Sequence, residues 1–319
     1  MRINEFGIRI DSLELLLSML NDTYMPNNRI DSYIYSEVKE WIHYFGNPEI
    51  NYIYFGSEFC GNRIPSISEW ENVALFCVQH GKTLVMVMPP TDIRSEETAI
   101  HIIRAITAQY DSIDIEVEVN DFGLLERLTQ SKMQSNTTIR LGRVLDKTFH
   151  DSRLSDQESA SIFGGSRIKW SEDTQLLSTM TRQVLYRYTV SGIDMDIPTI
   201  ISMLKTKERD DCFSIGLFVP YSYCTTGGLC QMHNIDIPTE HKFDIRNQEC
   251  TQFCRKYYES LKTRSKNQIA TNNVGRFEIT EMSSYRVGNT IFYLRNVSPM
   301  MLIDAKCIDR VIFEPKLTI

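Results

Sequence analysis

From residue 50 to residue 145 the chain alternates strand-like and helical segments with little between them. INYIYFG (50–56) reads as a strand. SISEWENVALFCVQHG (66–81) reads as a helix ended by glycine. KTLVMVMPP (82–90) is a strand stopped by two prolines, and SEETAIHIIRAITAQY (95–110) a helix. SIDIEVEVND (112–121), FGLLERLTQSK (122–132) and TTIRLGRVL (137–145) repeat strand, helix, strand. Strands separated by helices at this spacing pair in parallel, because a parallel partner needs a crossover long enough to hold a helix. Their apolar content fits strands covered on both faces. The spacing predicts an α/β fold, a TIM-barrel-like parallel β/α barrel. A doubly wound open sheet is the alternative, since periodicity does not distinguish a closed sheet from an open one.

The flanking regions are less regular. The first 48 residues contain two amphipathic stretches, SLELLLSMLND (12–22) and SEVKEWIHYFG (36–46). Asp11 and Ser12 suit a helix N-terminus and Gly46 a helix end. Residues 1–48 are therefore expected to form a helical extension, and 49–319 the barrel-like domain. Beyond residue 180, TRQVLYRYTVSGIDMD (181–196), DIPTIISMLKTKE (196–208) and CFSIGLFVPYSY (212–223) continue as strand, helix, strand. A polar stretch (262–276) reads as a loop. Strand-like pieces follow at 277–296 and in IDRVIFEP (308–315).

The net charge is −7 over 319 residues. That argues against a surface built for nucleic-acid phosphates. RKYYESLKTRSK (255–266) is the one basic run. It reads as a solvated helix face, with docking of an acidic partner as the second reading. The N-terminus has charges at Arg2, Glu5 and Arg9 and no apolar run behind them. It does not read as a signal peptide, and no apolar stretch is long enough to span a bilayer. A cytoplasmic location is the expectation. There, grouped cysteines point to metal or redox chemistry more than to disulfides.

Four of the eight cysteines fall between Cys224 and Cys254. If ECTQFC (249–254) is helical, Cys250 and Cys254 stand one turn apart on one face. Cys230 follows TTGGL, where two glycines let the backbone come close to a bulky group. Three or four converging thiolates suit zinc or an iron–sulfur cluster. By spacing alone, buried apolar cysteines explain the pattern equally well. A fourth ligand could be Cys212, Cys224 or Cys60, the last just past the strand 50–56. Cys77 and Cys307 read as core residues.

Several stretches occur in an order that resembles the collagenase-like peptidase family U thirty-two. They are YFGSEFCGNR (54–63), EVEVNDFGLLERL (116–128), IRLGRVLDKTFHDSR (139–153), VPYSYCTTGGLC (219–230), ECTQFC (249–254) and IDRVIFEP (308–315). The similarity is to the iron–sulfur branch, which includes the UbiU and UbiV proteins of oxygen-independent ubiquinone synthesis. It covers roughly residues 50–315, and the gap between Cys230 and the C-x3-C pair is longer than in the family pattern. The resemblance implies a 4Fe-4S cluster held by Cys60, Cys230, Cys250 and Cys254. It implies part in an oxygen-independent hydroxylation or related redox modification of a small molecule or peptide. It also implies a second family-related subunit as heterodimer partner. The family name carries two alternatives, a peptidase or a non-catalytic iron–sulfur subunit. The sequence contains no H-E-x-x-H and no G-x-S-x-G.

Other residues carry groups capable of chemistry. His150, after the strand 137–145, could serve as general acid or base, or be a solvated loop histidine. Asn120 and Asp121 end a strand, where side chains of a barrel face the active site. Glu116 and Glu118 alternate with apolar residues and would need cationic mates, for which Arg140 and Arg143 are candidates. Arg143 could instead grip a substrate carboxylate with its guanidinium fork. Arg63 and GGSR (164–167) are weaker signals. His233, three past Cys230, could hydrogen-bond a cluster sulfur or simply be exposed.

Overall fold

The computed structural model describes residues 3–131, 133–146, 179–197, 213–235, 237–242, 250–261, 284–294, 298–302 and 305–319. Eight strands close into a barrel: β1 (Glu5–Ile10), β2 (Tyr52–Gly56), β3 (Thr83–Met88), β4 (Ile115–Val119), β5 (Thr137–Leu141), β6 (Val190–Asp196), β7 (Ser214–Val219) and β12 (Arg310–Phe313). Each strand pairs in parallel with the next around the ring, and β12 closes it against β1. The barrel predicted from the alternation is thus the observed fold, and the open-sheet alternative is excluded. Between β7 and β12 the chain builds a second sheet of four strands, β8 (Tyr221–Thr226), β9 (Glu259–Leu261), β10 (Ser284–Val287) and β11 (Thr290–Leu294). Its spatial order is β8-β11-β10-β9 and all its pairings are antiparallel.

Helices pack outside the barrel. They are α1 (Leu13–Leu20), α2 (Arg29–Tyr44), α3 (Ile67–His80), α4 (Ile93–Gln109), α5 (Phe122–Gln130) and α6 (Thr179–Arg187). Their N-termini are capped by short polar side chains that satisfy otherwise orphaned backbone N–H groups. Ser12 caps α1, Asn28 caps α2 and Asp121 caps α5, while Ser66 and Glu69 form a reciprocal capping box on α3. Outward-facing strand residues such as Ile8, Phe55, Met86, Val117, Leu141, Met195 and Leu217 meet Trp70, Val73, Ile103 and Leu124 in one large apolar layer. No helix among the described residues is long and apolar enough to cross a membrane.

Residues 1–48 are not a separate helical extension. The stretch EFGIRI is the first barrel strand, between β2 and β12. Its charges hid it, because Glu5 and Arg9 belong to the inward face: Glu5 accepts from Arg310, its register partner on the neighbouring strand β12, and Arg9 is fully buried. The two helices expected in this region are present. The segment 181–196, expected as a strand, instead ends a helix and then enters β6, and 212–223 divides at Pro220 into β7 and β8.

Much of the barrel interior is polar, around a small apolar cluster of Tyr54, Val85, Val87, Phe218 and Ile312. Arg140 makes a two-point contact with Asp194 (2.6 and 3.0 Å) and lies 3.6 Å from Glu116. Arg310 donates to Glu116 (2.6 and 3.1 Å), Glu5 (2.9 Å) and the Tyr54 hydroxyl (2.8 Å), and its guanidinium stacks on the Tyr52 ring. Gly192 makes room for this layer: a Cβ there would run into the Arg140 guanidinium.

Candidate functional site

Asn120, Asp121, Arg143 and Cys60 follow C-terminal ends of barrel strands, while Cys230, Cys250 and Cys254 flank strands of the second sheet; the described site residues fall into two groups. The first is a buried plug centred on Arg143, in the short 3-10 turn Arg143–Leu145 that follows β5. Its Nε and Nη2 donate to Glu58 (2.7 and 2.8 Å). Its Nη1 donates to Asp196 (2.8 Å), and Nη1 and Nη2 together bind Glu314 (2.9 and 2.8 Å). A guanidinium has five N–H groups, and all five are taken. The group is sandwiched between Phe59 and Phe218 and is fully buried. Arg143 therefore has no donor left for a substrate carboxylate. It is the structural Glu–Arg reading that the geometry bears out, with Glu58, Asp196 and Glu314 as mates rather than Glu118.

Glu118 is the odd member of this layer. Its Oε1 accepts from Asn120 (3.1 Å), while its buried Oε2 has no hydrogen-bond partner among the described residues. Burial, with the charges of Glu58 and Asp194 behind it, raises its carboxyl well above the ordinary glutamate range. Burial also pushes Glu58 upward against the pull of Arg143, and Glu314 likewise to about 7. For Arg143 burial opposes the charge, but Glu314, Glu58 and Asp196 outweigh it and keep it protonated. Gly142 is required here because a Cβ would strike the Asn120 and Glu118 side chains.

Asn120 and Asp121 are both committed to the fold. Asn120 donates to the Met88 carbonyl (2.9 Å) and accepts from the Val144 N–H (3.2 Å), tying the ends of β3, β4 and β5. Asp121 accepts from the Leu124 N–H (2.7 Å) as a helix cap and from the Thr91 N–H and hydroxyl. His150, Cys212 and GGSR (164–167) lie outside the described residues.

The second group is the set of cysteines. Cys60 stands in the loop after β2, Cys230 in the turn after β8, and Cys250 and Cys254 in the segment before β9. Segments 20 to 194 residues apart are brought together, and Cys60 and Cys230 each feel the charge of Cys250 and Cys254. Burial pushes Cys60 up to about 11, with Cys250, Cys254 and Cys230 each adding to the rise. Burial also raises Cys230, with contributions from Cys254 and Cys250, while the His233 N–H opposes it. The C-x3-C pair is not helical as spacing suggested. Cys250 lies outside regular secondary structure, Gln252 takes a left-handed backbone (φ 52°), and Phe253–Arg255 forms a 3-10 turn. Cys224 occupies the bulge of β8 against β11. Cys77 lies in α3 and is fully buried with Cys307 in the outer core, as expected.

Donors surround these sulfurs. The His233 backbone N–H, not its imidazole, points to Cys230 Sγ (3.4 Å), and Arg63 Nη1 approaches Cys254 Sγ (3.6 Å). Gly288, at φ 57°, leaves the space that a side chain would take from Cys254 and Ile319. Among the described residues no three His, Cys, Asp or Glu side chains close around a single metal ion. The four candidate donors are all thiols, a set whose chemistry suits zinc or an iron–sulfur cluster.

A cleft of about 330 Å³ opens beside Cys60. Its walls include Asn62 and Gly61 after β2, Pro90 and Asp92 after β3, and Gly227 and Gly228 after β8. Asn289 braces the rim by donating to the Phe59 and Gly227 carbonyls (2.7 and 2.8 Å). Sequence reasoning missed this role for Asn289 and the plug formed by Glu58 and Glu314, because single acidic or amide residues far apart in a chain carry no spacing signal. No family model, curated protein or solved structure matches the chain.

Proposed function

We propose that this chain is an iron–sulfur protein that holds a 4Fe-4S cluster on Cys60, Cys230, Cys250 and Cys254. In this reading it takes part in an oxygen-independent hydroxylation or a related redox modification of a small molecule or peptide, alongside a second, related subunit. One observation carries the proposal: four thiols from three distant segments gather at the C-terminal end of a β/α barrel, where such barrels keep their active sites. When bound, the cluster would supply one-electron transfer. The chain's own residues hold the thiolate charge, with the His233 amide and Arg63 directed at the sulfurs. The Arg143 plug seals the barrel beneath and keeps water from its interior. The cleft beside Cys60 would seat the substrate.

The test is anaerobic purification or reconstitution with an absorbance spectrum and iron and sulfide counts. About four irons and four sulfides per chain are expected. Cys250→Ser and Cys254→Ser should abolish cofactor binding, while Cys77→Ser and Cys307→Ser should keep it. A colourless chain after reconstitution, or full iron in all four variants, would refute the assignment.

A further inference from the structure

The protein is acidic overall, yet the surface over the C-x3-C segment is basic and aromatic. Arg255 and Lys256 directly follow Cys254 and are exposed, and neither forms an ion pair among the described residues. Phe253 and Tyr257 flank them, 40% and 60% exposed, with their rings 6.3 Å apart. Arg63 joins from the other side of the cysteine site, through Cys254 Sγ and through the Gln252–Asn62 bond of 3.2 Å. One carboxylate faces this group: Glu69 of α3, already held by the Ser66 cap, feels both Arg255 and Arg63. Among the described residues three cations, Arg63 of them only partly exposed, thus stand against one anion on a chain whose net charge is −7. Two neighbouring exposed aromatics ringed by cations form the kind of surface that anchors a protein partner: apolar contact at the centre, charge at the rim.

We propose that this face docks an acidic electron-carrier protein and that the carrier delivers electrons through the Cys254 side of the site. The inference rests on the iron–sulfur reading for its purpose, but the charge and shape of the surface are independent of it. The overall acidity of the chain disfavours RNA as the occupant, since nucleic-acid surfaces need more cations than these three. An acidic carrier would be steered onto this patch and repelled by the rest of the molecule, which fixes where it binds.

A reduced plant-type ferredoxin serves as the acidic probe, with dithionite as a small reductant that needs no docking. On the reconstituted protein, cluster reduction by ferredoxin should slow about tenfold between roughly 0.05 and 0.5 M salt. The double variant Arg255→Glu with Lys256→Glu should show a similar, about tenfold, loss of rate at low salt. Its iron content and dithionite reduction should match the unaltered protein. Carbodiimide cross-linking of Lys256 to ferredoxin carboxylates reads the same surface without a cluster. If the chain holds no iron, the functional reading fails, while the cross-link yield and its loss in Lys256→Glu still decide the docking. An unchanged rate and cross-link yield in the charge-reversed protein would overturn the proposal. So would a single-stranded RNA that displaces ferredoxin at lower concentration.

Discussion

Replacing Arg143 by methionine should show how much the fold depends on one guanidinium. Methionine fills most of the same volume and still packs between Phe59 and Phe218, so the change isolates charge and hydrogen bonds. The structure gives the size of the effect. Arg143 is fully buried, and its five hydrogen bonds satisfy Glu58, Asp196 and Glu314, none of which reaches solvent. With its charge gone, the layer must take up one extra proton to keep the same net charge. Protonating a glutamate at pH 7 from its ordinary value of 4.5 costs about 3.4 kcal/mol at ~1.36 kcal/mol per pH unit. That agrees with the ~3–5 kcal/mol typical for removing one partner of a buried ion pair. At pH 5 the same protonation costs only about 0.7 kcal/mol. The variant should therefore lose about 3–5 kcal/mol at neutral pH and recover about 2.7 kcal/mol of it at pH 5. Urea unfolding followed by circular dichroism at pH 5, 6, 7 and 8 measures both numbers. A loss under ~1 kcal/mol, or one that grows on acidification, would refute the plug as described.

Two further substitutions test the same layer. Glu118 holds its proton in the folded chain and loses it in the unfolded one once the pH passes the ordinary glutamate value. Its contribution is therefore complete below that value and is lost as the pH rises toward the folded pKa. Glu118→Gln should gain on the unaltered protein by up to about 1.4 kcal/mol per pH unit across that window, read by denaturation at pH 5 and pH 8; parallel slopes would sink the assignment. Asn120→Ala should cost about 2–3 kcal/mol because it removes the buried hydrogen bonds to the Val144 N–H and the Met88 carbonyl and unties β3 from β4. Iron content should not change, since Asn120 holds barrel strands; loss of iron at full stability would instead make it a site residue.

The fold was legible in the sequence because local rules and global architecture agree between residues 50 and 141. Strand, cap and helix recur there in order, and only a barrel or a doubly wound sheet accommodates the pattern. The first barrel strand was not legible. EFGIRI carries Glu5 and Arg9 at positions where a strand in an apolar core would have none, and their partners Arg310 and Gly56 are remote in sequence. The same reason hid the role of Arg143. A lone arginine after LG is equally a substrate clamp or a buried plug until Glu58, Asp196 and Glu314 are seen to converge on it from three other strands.

The sequence by itself determined the strand–helix alternation between residues 50 and 141, the alternation of charged with apolar residues on β4 and β5, and the presence of four spaced thiols. Only the tertiary structure decided which charges neutralise one another and which cysteines meet. Hydrophobic period and caps act over one or two helical turns and are written locally. Ion pairing and thiol convergence depend on barrel closure, which sets Cys60 beside residues 190 positions away in the chain.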